Sequence, residues 1–359
     1  MQIINKLLKL QKVYIFFTSI VLSIIIFSSA FSQPNAFKVS NIEISSPFEL
    51  NFNKNRAIDG GFKISFLNLL TMITTSGDQN KIKNISIKEL KAMIDSFTIS
   101  DEKFINNEYF AKLETTFDKR KILNYLEKRN IFPSIPLRNK ILLVPILVDI
   151  EMDSIHLFND NIFYDKWNQE KKNYELLNYL LPSEDLEDLN EIQKISNTIE
   201  DYDFSNLISK YDLNDYIISI IYKDKNEVRI LSKINLNNSL KINNQKYTKT
   251  NLNNDKDFQK ILENLKTIYE DSWKKNNEIN TSIKLTMTLS IAAKNHKKIT
   301  KLEEMLNVVD LVSDFYIAKF DNKKIQYKII YNGSPKTFLN EMNKNDFDIT
   351  MKNNIWTVK

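Results

Sequence analysis

Alternating apolar and polar positions predict three folded units along this chain. The first unit, residues 33–135, has the element order β-α-α-β-β-α. Its strands cover 37–44, 97–99 and 109–117, its first helix ends at Ile73, and its other helices cover 86–94 and 119–128. Helix N-caps are expected at Asn53 or Asn55, at Ser86 and at Asp118, because each stands just before an apolar-periodic run.

Glycine positions refine the first helix. Gly77 follows it where a C-cap is expected. Gly60 and Gly61 lie inside it, and each costs about 1 kcal/mol relative to alanine. A close packing contact or a kink is therefore expected there.

The second unit, residues 136–278, opens with a nearly unbroken apolar run from Ile141 to Val148. Such a run is typical of a strand that is covered on both faces. The remaining pattern predicts helices at 167–181, 185–195, 204–210 and 255–275, and a hairpin of strands over 216–222 and 228–236. The unit therefore has the composition of an α/β layer.

The third unit, residues 279–359, follows a β-α-β-β-α-β order, which is the ferredoxin-like plan. Its strands are predicted at 283–291, 312–320, 325–331 and 347–358, and its helices at 298–306 and 335–342. The three units together give an α+β fold class. This plan hosts many unrelated functions and indicates none of them.

Asparagine replaces glycine as the residue of turns. Only four glycines occur, and asparagine tolerates the left-handed conformation that turns require. The predicted turns are Asn106-Asn107, Asn237-Asn238, Asn243-Asn244 and Asn253-Asn254. So few glycines also exclude the glycine-rich phosphate loops of nucleotide-binding folds.

The first 32 residues have the pattern of a secretory signal. Lys6, Lys9 and Lys12 precede an uncharged apolar stretch over 13–27, and Ala30-Phe31-Ser32 fits a signal-peptidase site before Gln33. We therefore expect export to the periplasm. The alternative is a single-pass anchor in the inner membrane, since the nineteen residues of 13–31 are just long enough to span a bilayer.

Cysteine usage and charge narrow the class. No cysteine occurs, which excludes a lipoprotein anchor and disulfides, so the fold must rest on apolar burial. The formal net charge is +5, and it falls to +2 without the three lysines of the leader. Acidic and basic residues are interspersed, so we expect no nucleic-acid partner, and membrane contact only through an uncleaved leader.

Histidine limits the candidate chemistry, because only His156 and His296 occur. His156 follows the acidic residues Asp149, Glu151 and Asp153, a set that could be drawn as a metal site. A surface loop after a buried strand is the favoured interpretation. His296 is expected in a solvated loop.

Carboxylate pairs offer a second candidate chemistry. Asp101-Glu102 is placed in the turn between two strands, and Asp185, Glu187 and Asp188 follow a proline turn. A glycosidase needs two carboxyl groups held about 5–9.5 Å apart across a cleft. Helix capping by Ser183 or Asp185 is the simpler interpretation. The sequence therefore predicts no catalytic, cofactor-binding or metal-ligating residue, and no cofactor.

Residues of the first two units resemble a family of Gram-negative envelope proteins known as domain of unknown function 2066. The segments that carry the resemblance are Arg56-Ala57 with Phe66, Leu69 and Leu70, then Phe97 to Glu102, Tyr109 to Asp118, Leu142 to Pro145, Leu181 to Leu189, and Tyr211 to Tyr216. Together they cover about residues 37–236. The resemblance implies export and no particular activity.

A more distant likeness concerns the second unit. Its strand, its helices and the Asp215-Tyr216 entry into a hairpin are similar to the amino-terminal domain of the Tol translocation protein and to lipoprotein activators of peptidoglycan synthases. Those domains bind proteins. The likeness implies a Tol-N-terminal-like α/β layer, although the lipoprotein cysteine and any propeller repeat are missing.

These observations predict a non-enzymatic envelope protein that binds one or more envelope protein partners, by edge-strand addition or in a helix groove. The first alternative is a periplasmic carrier of a lipid or small ligand in a cavity between units. The second is a wall or carbohydrate hydrolase that uses carboxylates such as Glu102 or Asp185. The sequence predicts no oligomeric state.

Overall fold

The computed structural model describes residues 37–82, 84–158, 160–279, 284–309, 311–352 and 355–358. The predicted leader and its cleavage site lie outside these residues. The fold is of the α+β class, as predicted, and contains sheets of three, six and five strands. No helix within the described residues combines the length and apolar composition of a bilayer-spanning helix.

The first unit is a three-stranded antiparallel sheet of order β1-β3-β2 that is covered by helices. Its elements are β1 (Lys38–Pro47), α1 (Lys54–Ile73), α2 (Ser76–Gln79), α3 (Ile87–Ala92), β2 (Ile94–Ile105), β3 (Glu108–Phe117) and α4 (Lys119–Glu127). Within β1 a bulge between Val39 and Ile42 moves the buried positions from odd to even numbers. Asn41 supplies the left-handed residue that this bulge uses.

The predicted N-caps of this unit are confirmed. The side chains of Asn53, Ser86 and Asp118 each accept a hydrogen bond from a backbone N–H of the following first turn. The predicted C-cap is wrong, because α1 ends on Thr74 in an extended conformation. Gly77 lies instead within α2 and has no positive φ.

The two helical glycines of α1 have different surroundings. A Cβ placed on Gly61 would lie 2.6 Å from Cδ1 of Ile44 and 2.9 Å from Cδ2 of Leu113, both of which are buried. A Cβ on Gly60 would meet nothing within 4 Å. The predicted close contact therefore exists at Gly61, where α1 packs on the sheet.

The second unit is a six-stranded mixed sheet of order β5-β4-β7-β8-β9, with β6 also paired to β4. Its strands are β4 (Asn139–Asp149), β5 (Ser154–His156), β6 (Leu177–Leu180), β7 (Tyr216–Asp224), β8 (Glu227–Leu236) and β9 (Ser239–Thr248). Its helices are α5 (Ile162–Lys166), α6 (Leu186–Lys194), a 3-10 helix (Ser196–Asp201), α7 (Ser205–Ser209) and α8 (Asp255–Asn276).

Strand β4 is buried on both faces, as its apolar run predicts. Ile141, Leu143 and Leu147 face the core that contains α8. Leu142, Val144 and Ile146 face a second core beneath α6 and α7. The first of these cores is one continuous cluster whose members range from Phe37 to Trp273 in the sequence. It therefore includes residues on both sides of the boundary predicted between the first two units, at 135–136.

Two predictions for this unit are wrong. The helix expected over 167–181 does not form, and this stretch contains the end of an irregular segment and strand β6. Asn243-Asn244 lies inside β9 rather than in a turn, whereas Asn106-Asn107 and Asn237-Asn238 have the left-handed φ values expected of turns. Asn254 is the N-cap of α8 with a negative φ.

The third unit has its own core, formed by residues from Met287 to Val358. Its elements are β10 (Leu285–Ala292), α9 (His296–Val308), β11 (Val312–Phe320), β12 (Lys324–Tyr331), α10 (Pro335–Lys344), β13 (Ile349–Lys352) and β14 (Ile355–Val358). The single final strand expected over 347–358 is wrong, because β13 and β14 pair with each other antiparallel. β14, and not β13, is the neighbour of β10 and pairs with it parallel, so the sheet departs from the all-antiparallel pairing of the predicted ferredoxin-like plan.

Polar contacts join the third unit to α4. Lys119 donates to the carbonyl oxygen of Val309 over 2.7 Å, and Arg120 pairs with Asp314 over 2.8 Å. Lys284 pairs with Glu127 over 3.0 Å. The two ion pairs are largely exposed and add little stability, so the stability of the third unit must come mainly from its own core.

We expect opposite effects from alanine at the two adjacent glycines of α1. Gly60→Ala should stabilise the protein by about 1 kcal/mol, because it removes the helix cost of glycine at an open position. Gly61→Ala should destabilise it by about 1–3 kcal/mol, because the new methyl group would displace Ile44 and Leu113. Urea unfolding of both variants measures this, and equal effects would contradict the close contact at Gly61.

Candidate functional site

A large concave surface lies between strand β5 and helix α6. It is an open groove of about 990 Å³. Residues 153–158, 160, 184–186, 189 and 193 line it. We call this surface the β5–α6 groove. β5 pairs on one side with β4 and is the terminal strand of its sheet within the described residues, so the groove runs along a sheet edge.

Two residues of β5, Ser154 and His156, form a side-chain hydrogen bond with each other. Ser154 Oγ and His156 Nε2 lie 3.0 Å apart, because residues two apart on a strand share a face. Among the described residues no carboxylate accepts a hydrogen bond from this ring. His156 is half-buried and lies in a strand, so the predicted surface loop is wrong.

A buried asparagine fixes the position of β5. On the same side of β4, β6 pairs with residues 139–142 and β5 with residues 147–149, which leaves a gap between them. Asn161 fills this gap, and its amide donates to the carbonyl oxygens of Pro145 (3.0 Å) and His156 (3.2 Å). Its Oδ1 accepts the N–H of Phe163 and caps α5. All polar groups of this side chain are therefore satisfied.

The other wall of the groove is held by two tyrosines and a cap. Tyr164 donates its hydroxyl hydrogen to the carbonyl oxygen of Pro182 over 2.8 Å, and the Tyr211 hydroxyl accepts the N–H of Ser183 over 2.8 Å. Asp185 then accepts the N–H of Glu187 and caps α6, as predicted. These contacts fix where α6 begins relative to β5.

Lys210 connects α7 to this cap. Its ammonium donates to Asp185 and to the buried Asp188, each over 2.8 Å. The hydrogen bond from Lys210, with help from the N–H of Glu187, lowers the pKa of Asp185. The same two carboxylates raise the pKa of Lys210. Both partners are therefore held in their charged forms.

The groove is acidic at its rim and apolar at its floor. Asp153, Asp160, Glu184 and Asp185 line it, and none of the described lining residues is Lys or Arg. Leu157 and Phe158 form a buried floor. Leu186 lines the groove with 77 % of its surface exposed. An exposed large apolar side chain beside a groove is typical of an interaction surface.

The structure therefore brings together two sets that are distant in the sequence. Asp153 comes from the turn after β4, His156 from β5, and Asp185 from the start of α6. Asp149 does not reach the groove, because it pairs with Lys223 over 2.8 Å and accepts the N–H groups of Glu151 and Met152. Its role is to shape the turn.

The other sequence candidates lie elsewhere. Asp101 and Glu102 were expected in a turn, but they lie inside β2 at a bulge, where they pair with Lys112 (2.9 Å) and Lys54 (2.6 Å). The lysine hydrogen bond lowers the pKa of Asp101. His296 is exposed as predicted, but it begins α9 rather than lying in a loop.

Strands β2 and β9 also lie at the ends of their sheets within the described residues. β2 carries exposed Phe97 and Phe104, but two bulges break its register with β3. β9 has an unbroken ten-residue register with β8, and its exposed edge residues include Lys241 and Lys246. Bulges and edge lysines oppose strand addition. Of these three edges, the one at β5 adjoins the β5–α6 groove.

No protein-family model matches this chain, and no curated protein matches it. The resemblance to domain of unknown function 2066 therefore stays a prediction. The described residues include no group of three acidic or histidine side chains placed to hold a metal ion.

We expect Lys210→Met to raise the pKa of Asp185 towards the ordinary aspartate value. The folded-state pKa of Asp185 is lowered, so its contribution to stability is present above the unfolded value and is lost as the pH falls through the folded value. Removal of Lys210 should reduce the amount of stability that the protein loses through Asp185 as the pH falls. Carboxyl ¹³C NMR titration measures the shift.

Asp101 is the matched control for this titration, because Lys112 and not Lys210 lowers its pKa. Its titration should be the same in both proteins. An unchanged Asp185 titration in Lys210→Met would show that Lys210 does not hold this cap.

Proposed function

We propose that this chain is an exported binding protein whose β5–α6 groove takes an extended, basic segment of an envelope protein partner. The observation that carries the proposal is the position of the groove, with a terminal strand on one side and a helix on the other. This arrangement suits strand addition, in which backbone hydrogen bonds give affinity and the neighbouring groove gives specificity.

Charge supports the choice of a basic segment. Four carboxylates line the groove, and one of them, Asp185, is paired with Lys210 behind the wall. A segment with Lys or Arg at alternate positions would place its charges beside Asp153 and Asp160, both of which are exposed. Opposite charges at the rim steer association and exclude acidic segments.

The apolar residues support a segment with at least one apolar side chain. Leu186 lines the groove and is largely exposed, and the buried Phe158 also lines it. Binding that covers Leu186 would remove apolar surface from water. Burial of such a central anchor contributes more to affinity than the charged rim.

The competing functions have less support. A hydrolase acid needs a raised pKa, whereas the pKa of Asp185 is lowered by its hydrogen bond from Lys210. Glu102 is exposed on a strand and paired with Lys54. A lipid carrier needs an apolar cavity for an acyl chain, and the cavity between the first two units is lined mainly by polar and charged residues.

Site-specific photo-crosslinking in the native host tests the proposal. A photoreactive residue at position 186 should crosslink to one dominant envelope partner, and mass spectrometry should map the crosslink to an extended segment that contains Lys or Arg. The control is the same residue at exposed position 308 on α9, in the third unit. Equal crosslinks from both positions would contradict a groove-specific partner.

A peptide with the crosslinked sequence then allows binding to be measured by fluorescence anisotropy. Asp153→Asn and Asp160→Lys should each weaken binding about two- to fivefold, because exposed ion pairs contribute about 0.2–1 kcal/mol. Asparagine at 153 tolerates the left-handed conformation that Asp153 adopts. Glu304→Lys, an exposed charge change on α9, is the matched control and should have no effect. Binding that is insensitive to Asp153, Asp160 and added salt would overturn the proposal.

A further inference from the structure

A second cavity shares no lining residue with the groove and has different chemistry. It has a volume of about 300 Å³ and lies between one face of α8, the turn after α1, and residues 172–175. Its lining includes Glu175, Lys266, Glu270, Asp271 and Lys274. The side chains of all five are at least four-fifths buried. Charged residues are rarely this buried unless they are paired.

Only one of the two carboxylate oxygens of Glu270, in the wall of this cavity, accepts hydrogen bonds within the described residues. Its Oε1 accepts the backbone N–H groups of Leu176 (2.9 Å) and Leu177 (2.8 Å) at the start of β6. Its Oε2 is buried and accepts no hydrogen bond within the described part of the chain. The residue is 6 % exposed. A buried carboxylate oxygen without a donor is costly and needs an explanation.

Lys274 lies one helical turn beyond Glu270 and lacks a close partner. The residue is 4 % exposed, and its nearest carboxylate is that of Asp271, at 3.8 Å. Glu and Lys in this i,i+4 order normally pair, yet no described ion pair joins Glu270 to Lys274. Burial raises the pKa of Glu270 and lowers the pKa of Lys274. The charged form of each side chain is therefore disfavoured by its surroundings.

The neighbouring charges are already engaged. Lys266 donates to the carbonyl oxygen of Glu170 over 2.9 Å, and Lys172 pairs with Glu263 over 3.1 Å. Asp271 accepts the N–H and the hydroxyl hydrogen of Ser76, at 3.0 and 2.6 Å. Within the described part of the chain, Oε2 of Glu270 therefore accepts no hydrogen bond, while the ammonium of Lys274 and the carboxylate of Glu175 each have their nearest ion-pair partner only at 3.8 Å. All three groups belong to residues in the wall of the same cavity.

We infer that this cavity binds a small zwitterion with a primary ammonium and a carboxylate, such as a free amino acid. The ligand ammonium donates to Oε2 of Glu270, and the ligand carboxylate accepts from Lys274. Such a ligand satisfies both groups at once and adds no net charge to a buried site. A simple cation would satisfy Glu270 and leave Lys274, and a simple anion would do the reverse.

Titration calorimetry with the purified leader-free protein tests this site. The probes are glycine, L-alanine and D-alanine, and the comparison compounds are ethylammonium chloride, sodium acetate and glycine betaine. Betaine keeps both charges but has no N–H to donate. At least one of the three amino acids should bind, and each comparison compound should bind at least about tenfold more weakly, because a charged hydrogen bond is lost. Absence of binding by all three amino acids, or equal binding of betaine, would overturn the inference.

Variants locate the binding in this cavity. Glu270→Gln keeps an oxygen for the N–H groups of Leu176 and Leu177, so the fold should hold, and affinity should fall at least about tenfold. Lys274→Met should have a similar effect. Asp255→Asn and Lys260→Met are charge-matched controls at exposed positions of α8 outside the cavity and should bind normally. Undiminished binding in folded Glu270→Gln would place the ligand elsewhere, and if that variant does not fold the probe comparison in the unaltered protein decides.

Discussion

The burial of β4 on both faces is the constraint on which the rest of the structure depends. A strand with apolar side chains on both faces is stable only if other elements cover each face. Helix α8 and the core of the first unit cover one face, and α6 and α7 cover the other. This requirement brings residues that are more than a hundred positions apart into contact, so the first two units share a core.

The same strand also determines where the groove forms. One edge of β4 pairs with β7, and its other edge is divided between β6 and β5. Neither short strand spans the middle, and Asn161 satisfies the carbonyl of Pro145 there. β5 is consequently a three-residue terminal strand beside the start of α6. The groove lies beside β5, which pairs with β4 and with no other strand within the described residues.

Elements with strong local signals could be predicted from the sequence. The N-caps at Asn53, Ser86 and Asp118 and the buried run of β4 depend on neighbouring residues alone, and all of them are confirmed. Strand β9 could not be predicted, because its asparagines favour turns and only pairing with β8 overrides them. The groove shows the same limit. His156 and Asp185 were both identified, but their juxtaposition depends on the pairing of β5 and the placement of α6.

The charged residues that line the second cavity show why the local sequence pattern of α8 gives a wrong prediction. Glu263, Lys266, Glu270 and Lys274 recur at helical spacing opposite an apolar stripe, which is the pattern of a solvated face. The residues that cover this face, such as Ser76 and Glu175, lie about a hundred or more positions earlier in the chain. On a solvated face these charges would have little effect on stability. Burial makes them unfavourable, because an unpaired buried ion destabilises a fold. A ligand that pairs with Glu270 and Lys274 would turn this destabilising feature into binding free energy.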